Sequence, residues 1–212
     1  KGHVIPVTND NVQLHADFEA GTEMVGETAI CEVKKRIAKM SLVPASPEPN
    51  QEALSAIDDA NMIILGPGSL YTSVIPNLLV PGVVEHINKS EAMVVYICNV
   101  MTQPGETDDF NALDHVKTIL EKTGLNKLDT VIVNSRRAAK NLMSKYEAKN
   151  QYWVPPTVKK IEELGIRVVA ADLLSESDLL RHNPNTLANI IANLVIEKKN
   201  NDTDIKDLSN ED

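Results

Sequence analysis

One stretch of this chain constrains its fold more than any other. The apolar run Met62-Ile63-Ile64-Leu65 stops abruptly at Gly66-Pro67-Gly68-Ser69, hydroxyls follow at Tyr71, Thr72 and Ser73, and an amide stands at Asn77. A short apolar run closed by glycine and proline reads as a buried strand emptying into a loop. Glycines let backbone N–H groups approach phosphate oxygens, and the start of a following helix adds partial positive charge. The order strand, glycine loop, helix therefore points to an α/β chain with a site for an anionic, nucleotide-type ligand.

The rest of the chain repeats that order. Helices expected over residues 51–59, 82–89, 112–123, 136–149 and 156–164 alternate with strands over 61–66, 92–99, 129–134 and 166–171, and a last helix is expected over 185–198. Strands separated by single helices imply parallel pairing. The fold class is therefore α/β, a Rossmann-like, doubly wound and mostly parallel sheet. Residues 11–30 add a β-hairpin excursion, with Val12, Leu14, Ala16 and Phe18 on one face, a turn at Ala20-Gly21 and a return over 23–30. A further strand fits 37–42, and Pro44 to Pro49 is a stiff linker. Residues 1–198 are expected to form a single domain and 199–212 a disordered acidic tail.

Composition narrows the function classes. A net charge of −9 argues against a sequence-independent nucleic-acid binder, which needs excess Lys and Arg. No apolar run approaches the ~18 residues of a membrane span, and no signal peptide is expected, so a cytoplasmic location is expected. Cys31 and Cys98 lie far apart, and Cys98 sits in an apolar run, which favours a buried reduced thiol over a disulfide.

In open α/β sheets ligands bind at the carboxyl ends of the strands. The residues just after the predicted strands are Gly66 to Ser69, Asn99 to Glu106, Asn134 to Arg136, and Asp172. Gly66, Pro67 and Gly68 could present backbone donors to a phosphate, or simply turn the chain. Ser69, Thr72 and Ser73 could bind phosphate or ribose, or one of them could cap a helix. Asn77 could bond its own loop. Asn99, Met101, Thr102 and Gln103 begin a long polar loop, whose amides both donate and accept and so suit a base or sugar. Arg181 offers a planar fork of donors for a diphosphate, or a solvated surface charge. Asp108, Asp109 and Asp114 could hold a magnesium ion with phosphate oxygens, or complement the start of the helix over 112–123. His115 reads as a surface or capping residue. No catalytic triad, zinc spacing or covalent nucleophile is legible.

Three segments, Gly66 to Gly82, Asn99 to Thr107 and Asp114-His115-Val116, closely resemble the YvcK-like gluconeogenesis factors (UPF0052). These are bacterial proteins in the superfamily of 2-phospho-L-lactate transferase (CofD), and the resemblance runs from about residue 3 to residue 194. Members carry a Gly-Gly-Gly-Thr-Gly loop near their N-terminus that is absent here, so the resemblance implies a C-terminal portion. It also implies a regulator that binds a nucleotide sugar of the UDP-N-acetylglucosamine type and supports cell shape and cell-wall morphogenesis on gluconeogenic carbon sources. The transferase relatives imply an alternative: moving a phospholactyl group from a nucleotide-activated donor to a deazaflavin hydroxyl, with Mg2+ as cofactor. Relatives suggest a homo-oligomer. Where relatives often read Arg-His-Asp, this chain has Arg181-His182-Asn183, which removes a carboxylate. Aromatic content of 3% leaves little surface for stacking a flavin-like acceptor and favours the nucleotide sugar.

Overall fold

The computed structural model describes residues 2–19, 21–175 and 180–208, with side chains as far as residue 200. Its centre is a four-stranded parallel sheet in the order β4-β5-β6-β7. The strands are β4 (Met62–Leu65), β5 (Met93–Ile97), β6 (Thr130–Asn134) and β7 (Arg167–Ala171). Both faces of the sheet are covered, which is why β5 and β6 read as unbroken apolar runs rather than alternating ones. Val94, Tyr96 and Cys98 face one layer with α4 (Val83–Lys89), α5 (Ala112–Thr123) and α7 (Val158–Glu162). Val95, Ile97 and Ile132 face the other, where Leu187, Ile190, Ile191 and Leu194 of α8 (Pro184–Leu208) cover them. The α/β class with helices on both faces is as expected.

The excursion near the N-terminus differs from a simple hairpin. It is a three-stranded antiparallel sheet, β2-β1-β3, of β1 (Gln13–Phe18), β2 (Glu23–Val25) and β3 (Ile37–Val43). The return strand ends at Val25 because Gly26, at φ +95°, turns the chain into α1 (Glu27–Val33), which buries Ile30. The whole of β1 pairs with β3, from Gln13–Val43 to Phe18–Ile37. Ala16, Phe18, Met40 and Leu42 point into the core that also receives α3 (Ile75–Leu78) and α5.

Other boundaries moved by a few residues. α2 (Gln51–Asp58) and α5 fall where predicted, each capped by an asparagine; Asn111 and Asp114 close a reciprocal capping box on α5. α6 (Lys140–Glu147) is shorter than residues 136–149, because the chain leaving β6 takes up no helical turn before Lys140. α8 runs past residue 198 to Leu208; the acidic-tail expectation for 209–212 lies outside the described residues. No helix of the described residues is long and apolar enough to cross a membrane.

Candidate functional site

At the carboxyl ends of the strands the chain forms an open cavity of about 350 Å³. Four segments line it: the loop after β4, the loop after β5, residues Tyr146 and Gln151 at and beyond the end of α6, and residues Leu180 to His182 that precede α8. Gly66 makes the first loop possible. At φ +78°, a Cβ there would lie 3.2 Å from the Ile97 carbonyl oxygen, so only glycine lets the loop cross the end of β5. Beyond it, Leu70–Val74 form a π-helical turn, with the Val74 N–H reaching back to the Ser69 carbonyl at 2.9 Å, before α3 begins. Such turns are rare and recur at functional sites.

The two long motifs meet in one buried carboxylate, Glu106, only 6% exposed. It accepts a very short hydrogen bond from the Ser69 hydroxyl, and longer ones from the Tyr71 N–H at 3.4 Å and the Thr72 hydroxyl at 3.5 Å. The Cys31 thiol of α1 lies 4.0 Å away. No cation reaches ion-pair distance among the described residues. Burial therefore pushes the Glu106 carboxyl above its ordinary range, against the pull of the Ser69, Tyr71 and Thr72 donors.

This geometry gives the hydroxyl cluster a specific role. The single proton of Ser69 goes to Glu106, and its oxygen in turn accepts from the Thr72 N–H at 3.3 Å and the Thr72 hydroxyl at 2.7 Å. Ser69 and Thr72 thus lock the loop internally. The backbone N–H groups of Gly68 and Ser69 have no partner among the described residues and remain available to an anion.

Eight of the candidate residues come together in the cavity: Pro67, Gly68 and Ser69 on one side, Asn99, Met101, Thr102 and Gln103 on the second, and Arg181 on the third. Thr102 is tied down by its hydroxyl, which accepts from the Tyr152 N–H at 2.9 Å. Gly66, Thr72, Ser73, Asn77 and Asn134 do not line it. Asn77 donates to the Ser73 carbonyl at 2.7 Å, and both residues are exposed. Asn134 is buried with its amide spent at both ends, donating to the Arg136 carbonyl and accepting from the Leu173 N–H.

Charge in the cavity is sparse. Arg136 is held by Asp172 at 2.6 Å, a contact that keeps the Asp172 carboxyl below the usual range, and Arg137 lies 4.8 Å over the Trp153 ring. Arg181 is exposed and has no ion-pair partner among the described residues, so it is the guanidinium free to meet an anionic ligand. His182, half-buried beside it, places Nε2 3.1 Å from the Cys98 carbonyl. Burial lowers its pKa, which favours a neutral ring whose Nε2–H donates to that carbonyl and whose Nδ1 can accept.

Sequence reasoning missed Tyr146, Gln151, Leu180 and His182 in the lining, and it left Glu106 in the loop without a role. Tyr146 and Gln151 come from α6 and the turn after it, where neither spacing nor composition marks a site. Of the acidic candidates, Asp108 and Asp114 have structural partners, and Asp109 is exposed and does not line the cavity. Asp108 accepts from the Gly105 N–H at 2.7 Å, and Asp114 accepts from the Asn111 N–H at 2.9 Å. His115 is not a surface residue but fully buried: its Nδ1 lies 2.9 Å from the Asn111 carbonyl and Phe110 meets its ring edge-on at 5.5 Å. A carboxylate-based magnesium site does not fit this cavity, because no Asp or Glu is among the described residues lining it.

A parallel sheet between two helical layers, with a polar cavity across its strand ends, defines an open α/β protein whose candidate site lies where such sheets bind ligands. Residues 1–174 match the family described as 2-phospho-L-lactate transferase CofD, and the chain belongs to that family. It is 39% identical over 198 residues to the gluconeogenesis factor of Bacillus subtilis, covering 93% of this chain and 62% of that one. It is 40% identical over 192 residues to the gluconeogenesis factor of Halalkalibacterium halodurans, covering 90% and 60%. Two crystal structures of a Bacillus halodurans protein, one described as a member of the UPF0052 family, match with TM-scores of 0.86 and 0.85 at 40% identity. Each match covers 90% of this chain and 62% of the solved one, so the chain spans about three fifths of the length of these relatives.

Proposed function

We propose that this chain carries the ligand-binding half of a cytoplasmic regulator that binds a nucleotide sugar of the UDP-N-acetylglucosamine type, and that through it the protein supports cell shape and cell-wall morphogenesis on gluconeogenic carbon sources. One observation carries the reading: both long motifs and Arg181 converge on one cavity at the strand ends. Its donors suit the parts of such a ligand. The free N–H groups of Gly68 and Ser69, together with Arg181, complement a diphosphate. Asn99, Gln103 and Gln151 offer amides that can donate and accept, as a uracil or a sugar hydroxyl requires. The kinship with proteins named gluconeogenesis factors supports the metabolic setting. A homo-oligomer is part of the proposal and rests on that kinship alone.

A second reading is phospholactyl transfer to a deazaflavin hydroxyl, as the family description suggests. His182 favours it, since a neutral imidazole with a free acceptor nitrogen could take the proton of an attacking hydroxyl. Calorimetric titration of UDP-N-acetylglucosamine into the full-length protein separates the two. The nucleotide-sugar reading expects saturable binding that Arg181→Ala weakens by about tenfold, or ~1.4 kcal/mol. Absence of binding at millimolar ligand in folded protein removes it, and product formation from a nucleotide-activated donor would establish the second.

A further inference from the structure

The three-stranded sheet buries one face in the core; its other face carries a cluster the strand-end cavity does not use. His15 and Asp17, two apart on β1, share that face by the strand's alternation. The register sets Asp17 directly opposite Glu23 of β2. Each of the three side chains can offer one ligand atom, and these atoms lie within 4.8 Å of one another. Like charges directly opposed across a strand pair are destabilising. Lys39, which pairs with Asp17 from the β3 side, makes no ion pair with it within 4.0 Å. Among the described residues the acids' ion-pair partner is the imidazole, with Nδ1 3.8 Å from an Asp17 oxygen and Nε2 3.4 Å from a Glu23 oxygen.

We infer that His15, Asp17 and Glu23 form a divalent-metal site suited to zinc, with water completing the coordination on the solvent side. The donor set of one imidazole nitrogen and two carboxylate oxygens fits zinc, whereas calcium and magnesium favour oxygen alone. Ligands held about 2.0–2.1 Å from a tetrahedral zinc lie about 3.4 Å apart. The His15 Nε2 to Glu23 separation of 3.4 Å already equals that edge. Asp17, whose contact to Nδ1 is 3.8 Å, starts within 4.8 Å of the other ligand atoms and has to close by up to about 1.4 Å to complete a tetrahedral face; its side chain is 36% exposed and free to move. Ser41 of β3 supplies the outer contact that such sites use to orient a histidine. Its hydroxyl oxygen lies 3.3 Å from Nδ1, so an Nδ1–H donated to it leaves the Nε2 lone pair for the metal. The bound ion would cancel the Asp17–Glu23 repulsion and tie β2, only three residues long, to β1.

Titration of Zn2+ alone into the full chain tests this, read by calorimetry, by the histidine 15N shifts and by the thermal midpoint. The expected result is one ion per chain, a shift confined to the His15 ring, and a midpoint that rises with Zn2+. His15→Ala should abolish binding, Glu23→Gln, at a position 72% exposed, should weaken it without touching the core, and Ser41→Ala should cost about tenfold. His86→Ala, which removes another partly buried histidine paired with a carboxylate (Asp58, 2.8 Å), should leave binding unchanged. No heat and no His15 shift at millimolar Zn2+, or binding that survives both His15→Ala and Glu23→Gln, would overturn the assignment. The cluster shares no residue with the strand-end cavity, so its failure leaves the nucleotide-sugar reading untouched.

Discussion

Gly105→Ala is the perturbation whose cost the structure defines best. Gly105 sits at φ +87°, and a Cβ built on it would lie 2.5 Å from the Lys34 Cα and 2.8 Å from the Lys34 carbonyl carbon. Those atoms are backbone, and Lys34 is itself left-handed at φ 49°, ending α1, so no side chain can swing away. Alanine at positive φ costs about 1–2 kcal/mol. Forcing atoms into a packed contact adds about 1–3 kcal/mol, for a total of about 2–5 kcal/mol. Gly124 provides the control: its φ is +74°, but nothing lies within 4 Å of a Cβ there. Gly124→Ala should therefore show the backbone cost alone, about 1–2 kcal/mol. Urea denaturation of the two variants measures the difference, and the thermal midpoint should fall by about 2–4 °C per kcal/mol for a chain of this size. The second consequence is functional. The loop that Gly105 docks carries Glu106, so lifting it withdraws the carboxylate from Ser69 and should weaken ligand binding in Gly105→Ala but not in Gly124→Ala. If the two variants lose equal stability, the close approach of this loop to the α1–β3 turn is not a constraint and the reasoning fails.

The remaining predictions concern buried titratable groups. Burial favours neutral Glu106, so its stabilising contribution is full below the ordinary value of 4.5 and is lost as pH rises through the raised folded value. Glu106→Gln should flatten that limb of the stability–pH curve, whereas Glu106→Ala, which strands the Ser69 hydroxyl and the Tyr71 N–H, should cost about 1–3 kcal/mol. Burial also disfavours charged His115, whose folded pKa lies below its ordinary 6.5, so stability should decline as pH falls from 6.5 towards that lower value. His115→Asn should reduce this slope, which one proton limits to about 1.4 kcal/mol per pH unit. The Cys98 thiol, buried and pushed up to about 12, should resist a thiol reagent in native protein, while exposed Cys31 reacts. Equal labelling of both without unfolding would contradict the buried position of Cys98 just beyond the end of the central strand β5.

The sequence by itself determined the class of fold and the end of the sheet where the site lies. Apolar runs at helix-separated intervals need parallel pairing, and the polar segments after them must then gather at the strand ends; Pro67 to Ser69 and Asn99 to Gln103 did so. Local chemistry also fixed the caps: Asn50 and Asn111 begin helices because their side-chain oxygens satisfy N–H groups that the helix leaves unpaired. What only the tertiary structure decided is which polar groups face the cavity and which one another. Ser69, Thr72 and Asn134 look as ligand-capable in the sequence as Asn99 does. Folding spends them internally, because partners far along the chain, Glu106 and Leu173, arrive at hydrogen-bond distance. Tyr146, Gln151 and His182 join the lining for the same reason in reverse: their neighbours in space are remote in sequence. A buried polar group must be paired, and a linear pattern does not reveal whether the pairing is met by the protein or left for a ligand.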